Sequence, residues 1–213
     1  MMQRRTVLKA AAFAAALASV PAFAAGEDPY DWVVKISNGI LDDIRADEKL
    51  HSGDMNALQE LVDRKIMPYV DFTMMTRMTV GPKWRSAMPE QRERLKAGFE
   101  KLLIRVYAGA LKNVKDHRCE LRPLRSRSVA DEMVIRTLLK SSGAEDIGLD
   151  YRIYKNRSGD WKIVDVNVEG IWMVENYRSQ FASTLNQDGV AGLIRLLEEK
   201  GEELAEKNKA KSS

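Results

Sequence analysis

Few residues of this 213-residue chain combine the type and the spacing that catalysis needs. It has two histidines, His51 and His117, and one cysteine, Cys119. A Ser-His-Asp relay would have to rest on one of those two histidines, and a cysteine metal cluster is excluded. No phosphate loop, no G-x-G-x-x-G after a strand and no G-x-S-x-G elbow occurs. Most acids fall on predicted solvent faces; Asp150 and Asp165 instead fall inside predicted strands. A buried carboxylate with a raised pKa can act as a general base. The bland alternative is that both point outward or pair with arginines.

Apolar residues are far more conspicuous. In "WKIVDVNVEGIWMVENYRSQF", Trp161 to Phe181, Val164, Val166 and Val168 alternate with Asp165, Asn167 and Glu169. Ile171, Trp172, Met173 and Val174 then run together where a strand should give way to a helix. Methionine is frequent, at ten residues, and clusters in "FTMMTRM", Phe72 to Met78. Methionine fills irregular apolar space and adapts to variable ligands. On composition alone such a stripe reads as core packing rather than as a pocket.

The elements that must position these residues follow from periodicity. Val33, Ile36, Ile40, Leu41 and Ile44 predict a helix over Asp28 to Arg45. Ser52-Gly53-Asp54 reads as a turn with Asp54 as N-cap, leading into a helix that carries Leu58, Leu61, Val62 and Ile66 and meets Pro68. A short helix over 70–78 should end at Gly81-Pro82. Pro89 suits a first helical position, behind the poor cap Met88, and Leu95, Phe99, Leu102, Leu103, Val106, Tyr107 and Ala110 line one face beyond it. Strands are expected near His117–Arg125, Ala130–Ser141, Ile147–Arg157 and Trp161–Glu169, with "NRSGD" as the last hairpin turn. Leu149, Tyr151 and Ile153 then share one face, and Cys119 reads as a small strand residue. Two helices close the chain, "NYRSQFASTLNQ" and "GVAGLIRLLEEKGEELAEK", before a polar tail from Lys207 to Ser213 that is expected to be disordered. Helices, a meander and helices again argue α+β.

The N-terminus bounds the compartment. Arg4, Arg5 and Lys9 precede an alanine-rich apolar stretch and an Ala22-x-Ala24 cleavage pattern, so residues 1–24 read as a signal peptide. "QRRTVLK" fits the twin-arginine pattern; an ordinary Sec signal is the alternative. Losing those three basic residues from the 34 balances the charge against the 31 acids. A neutral mature chain gives no reason to expect nucleic acid as a partner. Residues 25–206 suit one domain.

The stretches "PYVDFTMMTRMTVGPKWRSAMPEQRERLKAGFEKLLIRVYAGAL", "YRIYKNRSGDWKIVDVNVEGIWMVENYRSQF" and "DGVAGLIRLLEEK" resemble the MlaC, or toluene-tolerance, family of periplasmic phospholipid-binding proteins. The resemblance runs in order through nearly all of the mature chain. It departs at Met88, where a Ser or Thr cap is common, and at Trp172, where a small residue is common. It implies a cone like that of nuclear transport factor two, in which helices wrap a curled, four-stranded antiparallel sheet around an apolar cavity. It further implies a monomeric, non-enzymatic carrier in the periplasm that needs no cofactor and holds phospholipid as its ligand. The implied partners are an outer-membrane lipoprotein–porin complex and an inner-membrane ABC transporter with an MCE-domain subunit. The expected lining is Phe72, Met75, Phe99, Leu103, Val106 and Tyr107 from helices, and Leu149, Tyr151, Ile153, Val164, Val166 and Val168 from strands. Ile171 and Trp172 are expected at the rim. Tyr177 and Arg178 are expected either near a headgroup or in a structural bond. The alternative function is a small-molecule enzyme on the same cone, using Asp150, Asp165 or a tyrosine.

Overall fold

The computed structural model describes residues 27–52, 54–111 and 114–210. The expected signal peptide and the last three residues lie outside them. Helix α1, Pro29–Ala46, starts at Asp28, whose carboxylate accepts from the Tyr30 amide at 2.8 Å. Helices α2, Glu48–Ser52, and α3, Met55–Leu61, follow, and Asp54 caps α3 through the Asn56 and Ala57 amides. The chain then widens into a π-helical turn, Val62–Ile66. Helix α4, Phe72–Val80, ends at Gly81, whose φ of 68° few other residues adopt. A 3₁₀ turn leads to α5, Pro89–Leu111. Met88 offers no side-chain cap there; its own amide donates to Gln91 Oε1 at 2.9 Å, half of a capping box.

Five strands form one antiparallel meander in chain order: β1, Arg118–Leu121; β2, Glu132–Lys140; β3, Ile147–Lys155; β4, Trp161–Val168; and β5, Ile171–Trp172. The expectation of four strands missed β5. Glu169 and Gly170 both have positive φ, 51° and 86°, and reverse the chain in two residues, so that Ile171 pairs with Val168. Helix α6, Met173–Gln187, begins directly afterwards, and α7, Gly189–Ala210, closes the described fold. Helix α7 runs past residue 206 into the segment expected to be disordered.

Three apolar clusters organise the interior. One packs α1 on the sheet through Trp32, Val33 and Ile36 against Ile135, Tyr151 and Ile153. A second joins α4, α5, α6 and α7 around Phe72, Phe99, Tyr177 and Phe181. A third gathers Ile44, Leu50, Leu58, Leu61, Ile104 and Ala108 where α1, α2, α3 and α5 meet. Gly98 lets α5 approach α7 closely, because a Cβ there would lie 2.9 Å from Leu197 Cβ. Cys119 is buried in β1, as a small strand residue.

Candidate functional site

The three clusters do not close on one another, and a cavity of about 240 Å³, partly open to solvent, lies between them. Helix α5 supplies Glu100, Leu103, Ile104, Tyr107 and Ala108, a single stripe at i, i+3, i+4, i+7 and i+8. Leu58, Val62 and Ile66 follow each other at four-residue steps through α3 and the π-helical turn. Met67, Val70, Phe72 and Met75 come from the linker and α4. That linker is bonded to the sheet: Asp71 N donates to Ile163 O, and Ile163 N to Tyr69 O, both at 2.9 Å. Ile163 and Val166 of β4 and Met173 of α6 complete the wall. Burial pushes the Tyr107 phenol up. Among the described residues Glu100 is the lone carboxylate in the lining, and its Oε1 accepts from Gln59 Nε2 at 2.8 Å.

The two strand carboxylates lie elsewhere. Asp165 is 1% exposed and sits beneath the start of α6. Its Oδ1 accepts from the amides of Val166, at 2.9 Å, and Val174, at 3.0 Å. Its Oδ2 faces Arg152 at 3.4 Å, and the Arg152 guanidinium lies 4.6 Å above the Trp172 ring. Burial pushes the Asp165 carboxyl up, against those amides and the guanidinium. Asp165 therefore braces the β4–α6 corner. Asp150 pairs with Arg122 at 3.6 Å and accepts from the Thr137 amide at 3.3 Å. Among the described residues no group of three or more His, Cys, Asp or Glu could hold a metal, and no helix is long and apolar enough to cross a membrane.

The family model for the MlaC protein matches residues 35–199. The chain belongs to the MlaC family. It is 26% identical over 173 residues to the intermembrane phospholipid transport system binding protein MlaC of Haemophilus influenzae, covering 80% of this chain and 81% of that one. It is 26% identical over 166 residues to the toluene tolerance protein Ttg2D of Pseudomonas putida, covering 78% and 76%. A solved phospholipid-binding protein of Ralstonia solanacearum, in complex with a phospholipid, superposes with a TM-score of 0.79 at 37% identity, covering 84% of this chain and 99% of that one. The curled antiparallel sheet wrapped by helices is thus the expected α+β fold, with one more strand.

Of the lining expected for this MlaC family member, the cavity brings together Phe72, Met75, Leu103, Tyr107 and Val166. The other expected residues do not line it, each for a physical reason. Phe99 and Tyr177 are buried in an aromatic cluster, with ring centroids 5.1 Å apart. Val106 lies off the α5 stripe and is 45% exposed. Leu149, Tyr151 and Ile153 belong to the cluster under α1, and the Tyr151 hydroxyl is 2.8 Å from Ser37 Oγ. Val164 occupies a bulge: Arg152 pairs with Asp165 but Ile153 pairs with Ile163, so the alternation along β4 breaks between them. Ile163 thereby joins Val166 in the wall in place of Val164. Val168 pairs with Leu149 and Ile171 beyond the cavity. Ile171 is 59% exposed at the β4–β5 turn, and Trp172 lies under Arg152, not at the mouth. Arg178 packs beside Gly81.

The expectation missed Leu58, Val62, Ile66, Met67, Val70, Glu100, Ile104, Ala108 and Ile163. The four-residue spacing of Leu58, Val62 and Ile66 was the readable signal for three of them.

Proposed function

We propose that this protein is a periplasmic phospholipid carrier that holds acyl chain in the cavity and has no enzymatic role. The observation that carries the reading is a lining that is apolar apart from Glu100 and the Tyr107 hydroxyl, in a chain of the MlaC family. The lipid-bound relative of the same fold supports it. Burying a CH₂ gains ~0.8 kcal/mol, so two chains of about thirty methylenes gain on the order of 25 kcal/mol gross. Ordering costs oppose part of that gain. Lipid therefore does not escape into water, whereas exchange with another apolar site is nearly balanced and needs docking. This is the physical basis for shuttling between an outer-membrane lipoprotein–porin complex and an inner-membrane ABC transporter with an MCE-domain subunit. The carrier itself needs no nucleophile, metal or nucleotide.

The cavity is slightly smaller than the ~300 Å³ at which small-molecule pockets begin. Two full chains require its walls to part. Met67, Met75 and Met173 are the adaptable side chains that can repack as they do so. The test is to extract the purified mature protein with organic solvent and analyse the extract by mass spectrometry. Phospholipid near one equivalent is the expected result. A folded sample that yields none, even after incubation with vesicles, overturns the reading.

A further inference from the structure

A second concavity, of about 350 Å³, lies against the outside of the cavity wall. Met67, Val70 and Phe72 line both spaces, so three apolar side chains separate them. The chemistry changes across that wall. The outer groove adds Lys96, Lys162, Asp71, Thr73, Tyr154 and Asn156. Its carboxylate is already engaged: Asp71 Oδ1 accepts from the Met74 amide at 2.8 Å, and Oδ2 from the Tyr154 hydroxyl at 2.6 Å. Its two ammoniums are only partly engaged. Lys162 Nζ donates to the Pro68 carbonyl at 2.6 Å, and Lys96 Nζ pairs with Glu93 at 2.8 Å. Each ammonium carries three donors, so each keeps protons to give. Asn156 spends one amide proton on Asp160 at 3.3 Å.

An apolar cavity sharing a wall with a groove that presents two ammoniums, Lys96 and Lys162, beside an already engaged carboxylate, Asp71, is matched to an amphiphile with an anionic head. Resting on the carrier reading, we infer that this groove takes the phosphodiester of the lipid headgroup, with Lys96 and Lys162 as its cationic partners. Parting of Met67 and Val70 joins the two spaces when chain enters. The site is therefore selective for a phosphate-bearing lipid over an uncharged one with the same chains.

The experiment offers lipid-stripped protein vesicles containing equal phosphatidylglycerol and diacylglycerol of identical acyl chains, and measures what is carried away. Lys96→Gln/Lys162→Gln keeps a donor toward Pro68 and removes both charges. Wild type should favour phosphatidylglycerol, and the double variant should lose that preference by about tenfold, a factor of the size two half-exposed ion pairs supply. Equal ratios for the two proteins overturn the headgroup assignment while leaving the carrier intact. No lipid of either kind on folded wild type sinks the carrier reading itself. Inorganic phosphate bound by lipid-free wild type and lost in the variant, alongside unchanged vesicle ratios, would make the groove a free-anion site and also overturn the headgroup assignment.

Discussion

One apolar sheet face meets two different fates in this molecule. Toward β2 and β3, Ile135 and Ile153 are fully buried beneath α1, where Trp32, Val33 and Ile36 reach down onto them. Toward β4, Ile163 and Val166 face the cavity, and α3 and α5 contribute Leu58, Leu103 and Tyr107 to the same lining. Residue type does not separate the two halves, since both are aliphatic and aromatic. The difference is the helix above. Helix α1 lies on the sheet, whereas α5 is drawn toward α7 by the close contact at Gly98. A cavity here is the space left when a helix is committed to another partner.

The largest effect should come from the packed half. Ile153→Ala removes a fully buried side chain and should cost ~2–5 kcal/mol in urea unfolding. Leu103→Ala borders space that already exists and should cost about half as much, because fewer contacts are lost. Equal costs would mean that the cavity wall is as tightly packed as the core, and the contrast would fail. Next in size is Gly98→Ala, which places a methyl against Leu197 and should destabilise by roughly 1–3 kcal/mol through overpacking. If α5 instead moves freely, the variant should be near neutral and the volume open to lipid should change.

Much of this was legible before any coordinates. Helical spacing located α1, α3 and α5, the Gly81-Pro82 stop marked the end of α4, and the alternation of Leu149, Tyr151 and Ile153 gave the apolar sheet face. Two features hid the rest. Strict alternation puts Val164 beside Val166, but the bulge opposite Arg152 and Ile153 substitutes Ile163, and no residue type announces a bulge there. The β4–β5 hairpin turns on Glu169-Gly170, a weaker signal than Asn-Gly, so the strand was read as running straight into a helix. Which part of an apolar face stays open also depends on helix placement, and local pattern carries no such distance. The stripe through Glu100, Leu103, Ile104, Tyr107 and Ala108 was half visible; Val106 entered the reading because the predicted face was drawn too wide.

The smallest expected effect separates two carboxylates with opposite roles. Asp54 is an exposed cap whose carboxyl is held below its ordinary value by the Ala57 and Asn56 amides. Its stabilisation is present above the unfolded carboxyl value of ~3.9 and is lost as pH falls through the lower folded value. Asp165 behaves in reverse. Burial raises its folded pKa, so the folded state binds the proton more tightly than the unfolded chain does. Its contribution is full below the unfolded value and declines as pH rises through the raised folded one. The comparison is of urea midpoints between pH 3.5 and 7 for wild type, Asp165→Asn and Asp54→Asn. The asparagine at 165 keeps an oxygen for the Val174 amide and removes only the titration and the charge facing Arg152. Relative to wild type, Asp165→Asn should gain stability as pH rises, and Asp54→Asn should lose ground over the same range. A parallel trend in both variants would mean that the Arg152 charge and the two amides outweigh burial at Asp165. The β4–α6 corner would then be held by a carboxylate that the fold prefers ionised.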